Sequence, residues 1–187
     1  MTEKEKMLSG QTYYARDPEL INLHKDCRKL LKELNSITSD NVNRRFSILK
    51  NLLGKVDDGV WIESPFFCDY GINISIGKNT FINFNCVLID NNKIEIGSNV
   101  LIGPGVHFYT PTHPLKHNER INSNGEYVTT ALPIKVGDNV WIGGNSSICQ
   151  GVKIGSNSTI GAGSLVLNNI PNNVLAYGNP CKVIKKL

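Results

Sequence analysis

The stretch VGDNVWIGGNSSICQGVKIGSNSTIGAGSLV, from Val136 to Val166, has an aliphatic residue at every sixth position. These residues are Val136, Ile142, Ile148, Ile154, Ile160 and Val166. Small residues recur four positions after the first five of them, at Val140, Ser146, Val152, Ser158 and Ser164. Earlier blocks keep the same step, at Ile76, Ile82 and Leu88 and again at Ile96 and Ile102. Ordinary short strands joined by glycine-rich turns would not hold one interval so long, so the sequence predicts a repeat protein.

The interval of six also indicates the secondary structure of the repeat. Six is a multiple of two but not of 3.6, so the repeated aliphatic faces one side of an extended chain and cannot form the stripe of a helix. Three hexads make one triangular coil of about 18 residues, and stacked coils place the Ile and Val layers inside. Asn and Gly between the hexads tolerate the backbone conformations of the corners. We therefore predict a mainly-β solenoid, a β-helix, over residues 56–187, with a C-terminal tail at 171–187.

Residues 1–55 have helical periodicity instead. From Asp17 to Leu34 the apolar residues recur three and four apart, with Asp17 as the cap and Pro18 in the first turn. A second helix is predicted from Asn41 to Leu53. Its predicted inward side chains are Val42, Phe46, Leu49 and Leu53. We interpret this part as a small helical cap on the β-helix.

Composition and charge exclude several classes of protein. The chain has 187 residues and a net charge of +4, and no Lys/Arg run suggests a nucleic-acid or membrane-surface partner. No apolar run approaches the ~18 residues of a membrane span, and the charged N-terminus is unlike a signal peptide. Five widely spaced cysteines without a C-x-x-C pair favour neither a zinc knuckle nor a disulfide framework. We expect a cytoplasmic protein.

A segment without the hexad period, residues 108–133, interrupts the repeat and holds His113 and His117, two of the four histidines. The flat faces of a solenoid cannot build the wall of a pocket, so we predict that this loop projects toward a neighbouring subunit and helps to close a cleft. Pro114 biases His113 toward an extended conformation. A histidine, with its near-neutral pKa, is the natural base to remove a proton from an attacking hydroxyl.

Several motifs carry a resemblance to a known family. The opening stretch, IGKNTFINFNCVLID, IGSNVLIGPGV and the tail GNPCKVIKKL resemble the hexapeptide-repeat acyltransferases. The cap that begins EKEKMLSGQTYYARDPEL narrows the resemblance to the maltose/galactoside O-acetyltransferase group, over essentially the whole chain. The resemblance implies a left-handed parallel β-helix and a homotrimer with active sites between subunits. It further implies that acetyl-CoA donates an acetyl group to a sugar hydroxyl and that no metal takes part.

The resemblance also assigns site residues. His113, in Thr112-His113-Pro114, matches the general base of the family. Acceptor-binding positions match Asp17, Asp69, Asn83 and Asn91. Donor-binding positions match Trp141, Gly144, Ala162, Leu167, Asn168, Lys182 and Lys185. In the family Trp141 would lie beside the pantetheine arm, the Gly144 N–H would face the oxyanion, and the two lysines would lie near the phosphates. The family often has Arg at position 182 and Thr-Lys at positions 167 and 168, so donor affinity is expected to differ.

Three alternatives stay open at the level of sequence. His107, His113 and His117 could hold zinc in a β-helical hydratase, since three imidazoles are a known zinc ligand set. The chain could also be a β-helical scaffold without catalysis. The third alternative keeps the acetyl transfer and changes the acceptor to the hydroxyl of an antibiotic or of serine.

Overall fold

The computed structural model describes residues 1–187 as three helices followed by a parallel β-helix. The helices are α1 (Glu3–Leu8), α2 (Pro18–Ser36) and α3 (Val42–Leu52). Asp17 caps α2 as predicted, because its Oδ1 accepts a hydrogen bond of 2.9 Å from the Glu19 N–H. Helix α1 was not predicted; it starts with a reciprocal capping box between Thr2 and Glu5.

Three parallel sheets form the faces of the triangular β-helix, which confirms the predicted mainly-β solenoid. Face 1 contains β1 (Lys55–Val56), β4 (Ile74–Ile76), β7 (Ile94–Ile96), β12 (Ile134–Val136) and β15 (Lys153–Ile154). Face 2 contains β2 (Trp61–Ile62), β5 (Phe81–Ile82), β8 (Leu101–Ile102), β13 (Trp141–Ile142), β16 (Thr159–Ile160) and β18 (Val174–Tyr177). Face 3 contains β3 (Phe66–Cys68), β6 (Cys86–Ile89), β9 (His107–Tyr109), β14 (Ser147–Cys149) and β17 (Leu165–Val166).

The remaining elements lie outside this regular stack. An antiparallel ribbon of β10 (Pro111–Thr112) and β11 (Thr130–Ala131) and a 3-10 helix (His117–Glu119) lie in the loop. The last strand, β19 (Lys182–Lys186), runs antiparallel to β18 along face 2. The predicted tail, 171–187, therefore includes β18, which belongs to the stack. The predicted loop, 108–133, starts within β9.

The register between coils places the repeated aliphatics directly over one another. On face 2, Ile82 lies opposite Ile102, Ile102 opposite Ile142, and Ile142 opposite Ile160, and all four are buried. Each such side chain contributes about 1.5–3 kcal/mol on burial. The buried serines of the repeat are also satisfied, as when Ser146 Oγ donates to the Gly143 carbonyl at 2.8 Å.

The first corner, between face 1 and face 2, carries a ladder of asparagines. Their φ angles lie in the left-handed region, which Asn tolerates better than most residues. The five are Asn79, Asn99, Asn139, Asn157 and Asn173. The amide Nδ2 of each of the first four donates to the Oδ1 of the asparagine one coil further on, at 3.4, 3.2, 2.9 and 3.0 Å along the series. The ladder therefore joins coils through side chains as well as through the main chain.

The predicted coil of eighteen residues holds for only part of the chain. Val136 lies opposite Ile154, a step of eighteen, but Ile76 lies opposite Ile96, a step of twenty. The two extra residues fall at the third corner, where the chain passes from face 3 to face 1 of the next coil. There Leu88 and Ile96 are eight residues apart, whereas Ile148 and Ile154 are six apart. The next coil has the whole excursion 110–133 at this same corner.

The predicted inward face of α3 is wrong for two residues. Val42 is 51% exposed and Phe46 is half-buried. The buried face consists of Arg45, Ile48, Leu49 and Leu52. Arg45 turns inward because its guanidinium donates to the Ile62 carbonyl at 2.6 Å and to the Ile37 carbonyl, after the end of α2, at 3.1 Å. Because Arg45 is charged, the periodicity of apolar residues could not predict that it lies on the buried face.

Replacing Asn139 with Ala is expected to lower the free energy of unfolding by about 1–3 kcal/mol, because Ala is strained at positive φ and the ladder loses two bonds. Urea unfolding at one fixed protein concentration measures this. Asn139→Gly is the matched control, since Gly adopts the same φ without strain and should cost less. Equal, near-zero effects of the two substitutions would contradict this account of the corner.

Candidate active site

The second corner, between face 2 and face 3, contains the half-buried Gly144. Trp141, at the start of β13, is 56% exposed on the outer side of face 2. Glycines keep this corner narrow: a Cβ on Gly103 would lie 2.6 Å from the Gly144 nitrogen, and one on Gly143 would lie 2.4 Å from the Ala162 nitrogen. No main-chain acceptor within the chain occupies the Gly144 N–H.

Asn83 enters the same corner two coils before Gly144. Its Oδ1 accepts a hydrogen bond of 2.8 Å from the Phe84 N–H, so the side chain caps the turn. The stacking is fixed by main-chain bonds, because the Gly105 N–H donates to the Phe84 carbonyl and the Asn145 N–H to the Pro104 carbonyl. The second corner thus carries three of the predicted site residues on different coils, Asn83, Gly144 and Ala162, and Trp141 precedes this corner on β13.

The third corner carries His113, on the loop just after β10. The side chain is exposed, and its Nδ1 lies 2.8 Å from the carbonyl oxygen of Val128. A carbonyl only accepts hydrogen bonds, so in the neutral ring Nδ1 holds the proton and Nε2 keeps its lone pair. The loop therefore presents His113 in the tautomer that a general base using Nε2 requires.

Asp69 begins the third corner of the first coil and lies beside two side chains of α2, those of His24 and Arg28. Its Oδ1 is 3.4 Å from the Arg28 guanidinium and 4.0 Å from His24 Nε2, and the side chain is 23% exposed. Burial raises the pKa of Asp69, while His24 and Arg28 oppose that rise. The carboxylate remains reachable from solvent at the edge between the cap and the β-helix.

Asn91 is buried beneath the surface, whereas the resemblance implied that it contacts the acceptor directly. The residue is 7% exposed, and its Nδ2 donates to the Tyr13 hydroxyl at 2.9 Å. Its Oδ1 is buried without a partner. Burial raises the pKa of Tyr13 to about 12. Tyr13 is itself only 2% exposed, so neither side chain of this pair lies at the surface.

Asp90 organises the same corner, although it was not among the predicted site residues. The side chain is fully buried, and its carboxylate accepts hydrogen bonds from the N–H groups of Tyr70, Asp69 and Asn73 at 2.8, 3.0 and 3.3 Å. Burial raises the pKa of Asp90 to about 7, against the opposing effect of these bonds. The sequence offered one signal for Asp90, which is an acidic residue at the corner that has two extra residues.

The other predicted residues lie apart from these clusters. Asp17 caps α2, and the exposed Leu167 and Asn168 follow β17 at the third corner. Lys182 and Lys185 are exposed on β19. The predicted base and the predicted donor groove thus occupy different corners of one chain, with face 3 between them.

The histidines of the zinc alternative do not converge. His107 Nδ1 lies 2.6 Å from the Tyr109 hydroxyl, while His113 Nδ1 bonds to the Val128 carbonyl. No three side chains among His, Cys, Asp and Glu gather closely enough to hold a metal ion.

None of the three helices has the length and apolar character needed to cross a bilayer.

Comparison with known proteins agrees with the fold and the cap. The bacterial transferase hexapeptide motif, as six repeats, matches residues 133–168, and the maltose acetyltransferase hexapeptide capping motif matches residues 6–57. The stacked coils therefore define a hexapeptide-repeat transferase.

Relatives narrow this class. A maltose O-acetyltransferase from Clostridium difficile has 46% identity and a TM-score of 0.95, over 100% of this chain and 98% of that one. A hexapeptide-repeat acetyltransferase from Vibrio cholerae, solved with acetyl coenzyme A, has 37% identity and a TM-score of 0.91, over 100% and 99%. The galactoside O-acetyltransferase of Escherichia coli is 42% identical over 86% of this chain and 77% of its own length. The chain belongs to the maltose/galactoside O-acetyltransferase family and is an acetyltransferase.

The buried Asp90 predicts a pH dependence of stability. Its folded pKa of about 7 lies above its ordinary 3.8, so the native state keeps a proton that the unfolded state releases. The free energy of unfolding should therefore fall as the pH rises from about 4 to about 7, by up to about 1.4 kcal/mol per pH unit from this group. Asp90→Asn cannot release this proton, so the difference in unfolding free energy between wild type and variant should change across that range. Parallel pH curves for the two proteins would contradict the prediction.

Proposed function

We propose that this chain transfers an acetyl group from acetyl-CoA to a hydroxyl of a sugar of the maltose, glucose or galactoside type. The observation that carries the proposal is the exposed His113 ring, whose Nδ1 is held by the Val128 carbonyl. Nε2 removes the proton of the acceptor hydroxyl while its oxygen attacks the thioester carbonyl. The C–S bond then breaks, and the proton on Nε2 passes to the departing coenzyme A thiolate. No acyl-enzyme forms.

The second corner supplies the donor side of this reaction. The Gly144 N–H would donate to the oxyanion of the tetrahedral intermediate, a role that needs geometry and no side chain. The exposed Trp141 and the low wall at Ala162 leave room for the pantetheine arm. Lys182 and Lys185 carry the positive charge that the phosphates of coenzyme A need, as point charges without the forked geometry of arginine. Leu167 and Asn168 would complete the donor site from the third corner of a chain.

In the acceptor site, Asp69 and Asn83 would contact the sugar directly. Asp69 offers a partly exposed carboxylate, which can accept hydrogen bonds from sugar hydroxyls. Asn91 would support this site from beneath, since it bonds to the buried Tyr13. Asp17 lies at the start of α2, where its carboxylate is committed to the helix cap, so we assign it a supporting place at the edge of the cleft.

A homotrimer with active sites between subunits would bring the two corners together. Leu101 and Trp141 lie opposite each other in the register of face 2 and are 52% and 56% exposed. An apolar surface of this kind is typical of an interface between chains. Face 1, by contrast, presents the ion pair Glu95 and Lys135.

We place the trimer in the cytoplasm, where buried thiols such as Cys27 and Cys68 stay reduced.

Replacing His113 with Ala is expected to lower kcat by about 100-fold to 10,000-fold, because proton removal by a positioned base contributes that much. Thiol release from acetyl-CoA, measured over a panel of sugars with an aminoglycoside-type antibiotic and serine as further acceptors, tests both the base and the acceptor class. His117→Ala is the matched control on the same loop and should keep wild-type activity. Full activity of His113→Ala, or no stimulation by any sugar, would overturn the proposal.

A subunit-mixing experiment tests the shared site. His113→Ala lacks the base, and Ala162→Trp fills the donor groove, so each homotrimer should be inactive. If the site takes His113 from one subunit and the groove from its neighbour, trimers reassembled from equal amounts should regain about a quarter of the wild-type sites. No recovery in confirmed mixed trimers would show that both groups act within one chain.

A further inference from the structure

The orientation of His113 depends on the return arm of the loop, residues 127–131. The carbonyl that fixes the His113 ring belongs to Val128, on this arm, whereas His113 itself follows β10 on the outgoing arm. The two arms pair through Pro111 with Ala131 and through Thr112 with Thr130. A shift of one arm against the other would therefore move the carbonyl away from Nδ1.

Asn92 holds both arms at the point where the loop leaves the β-helix. Its main-chain N–H donates to Thr110 Oγ1 at 2.9 Å, and its side-chain Nδ2 donates to the Ala131 carbonyl at 2.8 Å. Thr110 is the first residue of the excursion and Ala131 lies in β11. Asn92 is only 2% exposed, so water does not compete for these bonds.

The same amide also ties the N-terminal cap to this point. Nδ2 lies 3.1 Å from the Met7 carbonyl and 3.2 Å from the Leu8 carbonyl, at the end of α1, where helix carbonyls lack partners within the helix. The Tyr13 N–H donates to the Thr129 carbonyl at 3.2 Å, next to Val128. One buried side chain thus joins the second coil, the cap and the loop.

Asn92 can lie where the loop leaves the β-helix because the third corner of its coil has two extra residues. In the regular coil the corner between Ile148 and Ile154 is two residues shorter. Asn92 adds nothing to the aliphatic core of the coil that contains it. All its side-chain donor bonds go to the cap and the loop.

We propose that Asn92 is a positioning residue for the base: it fixes the loop so that Val128 keeps His113 in the tautomer with Nε2 free. Asn92 does not touch the substrate and acts only through the loop. This inference rests on the proposed role of His113 as the base. Nothing in the resemblance assigns a role to Asn92.

The test compares Asn92→Ala and the milder Asn92→Ser, which keeps one donor, with wild type. In protein labelled with ¹⁵N-histidine, the His113 resonances, assigned by their loss in His113→Ala, should show a proton on Nδ1 in wild type. In Asn92→Ala they should show a mixture of both tautomers. With an acceptor used by wild type, kcat should fall by about 100-fold, as expected for a base displaced by about 1 Å, at an unchanged KM for acetyl-CoA. Asn92→Ser should lie between the two.

Asn157→Ala is the matched control, since it also removes an asparagine amide from a corner but lies in the ladder, away from the loop. It should lower the melting temperature and leave the His113 tautomer and kcat unchanged. An unchanged tautomer in folded Asn92→Ala and Asn92→Ser, or the same change in Asn157→Ala, would overturn the inference. Full activity of His113→Ala would instead reject the proposed base, while the tautomer would still report whether Asn92 positions the ring.

Discussion

Hydrogen bonds between the main chains of successive coils are the constraint on which the other features of this molecule depend. They hold equivalent residues one above another, so Ile82, Ile102, Ile142 and Ile160 form one buried column. The same stacking limits each corner, because the glycine of one coil leaves the space that the next coil occupies, as Gly103 does for Gly144. A face built in this way is flat. Variation that could shape a site is therefore possible mainly at corners.

The chain concentrates that variation at one corner. The first two coils have two extra residues there, and the third has the excursion 110–133, whereas the coil that starts at β12 returns to the regular length. These additions create a second small core outside the β-helix. It consists of Met7, Tyr13, Leu20, Tyr70 and Ala131, contributed by the cap, the corner and the loop. The cap therefore does more than cover the end of the solenoid, because it packs on the enlarged corner that carries His113.

The sequence predicted what depends on neighbouring positions and missed what depends on distant ones. The hexad period gave the inward columns, since a local interval alone determines which side chains face inward. The buried state of Asn91 could not be predicted, because its partner Tyr13 lies 78 residues away. The burial of Arg45 was not predicted for the same reason, since its acceptors lie just after α2 and on the first coil. His113 was chosen over His117 by resemblance to a family motif, and the Val128 carbonyl that fixes its tautomer has no signature in the sequence.

Flat faces and separate corners explain why the proposed site is divided between chains. Face 3 lies between the loop with His113 and the corner with Gly144, so one chain cannot bring His113 to its own Gly144 N–H without breaking the stack. Each half is nevertheless ordered within its own chain, the loop by Asn92 and the groove by stacked glycines. In the proposed trimer, association would then join two preformed halves and order little additional chain, which keeps its entropic cost low. A base held by its own subunit also keeps one geometry relative to the neighbouring groove, and acid–base catalysis depends on that geometry.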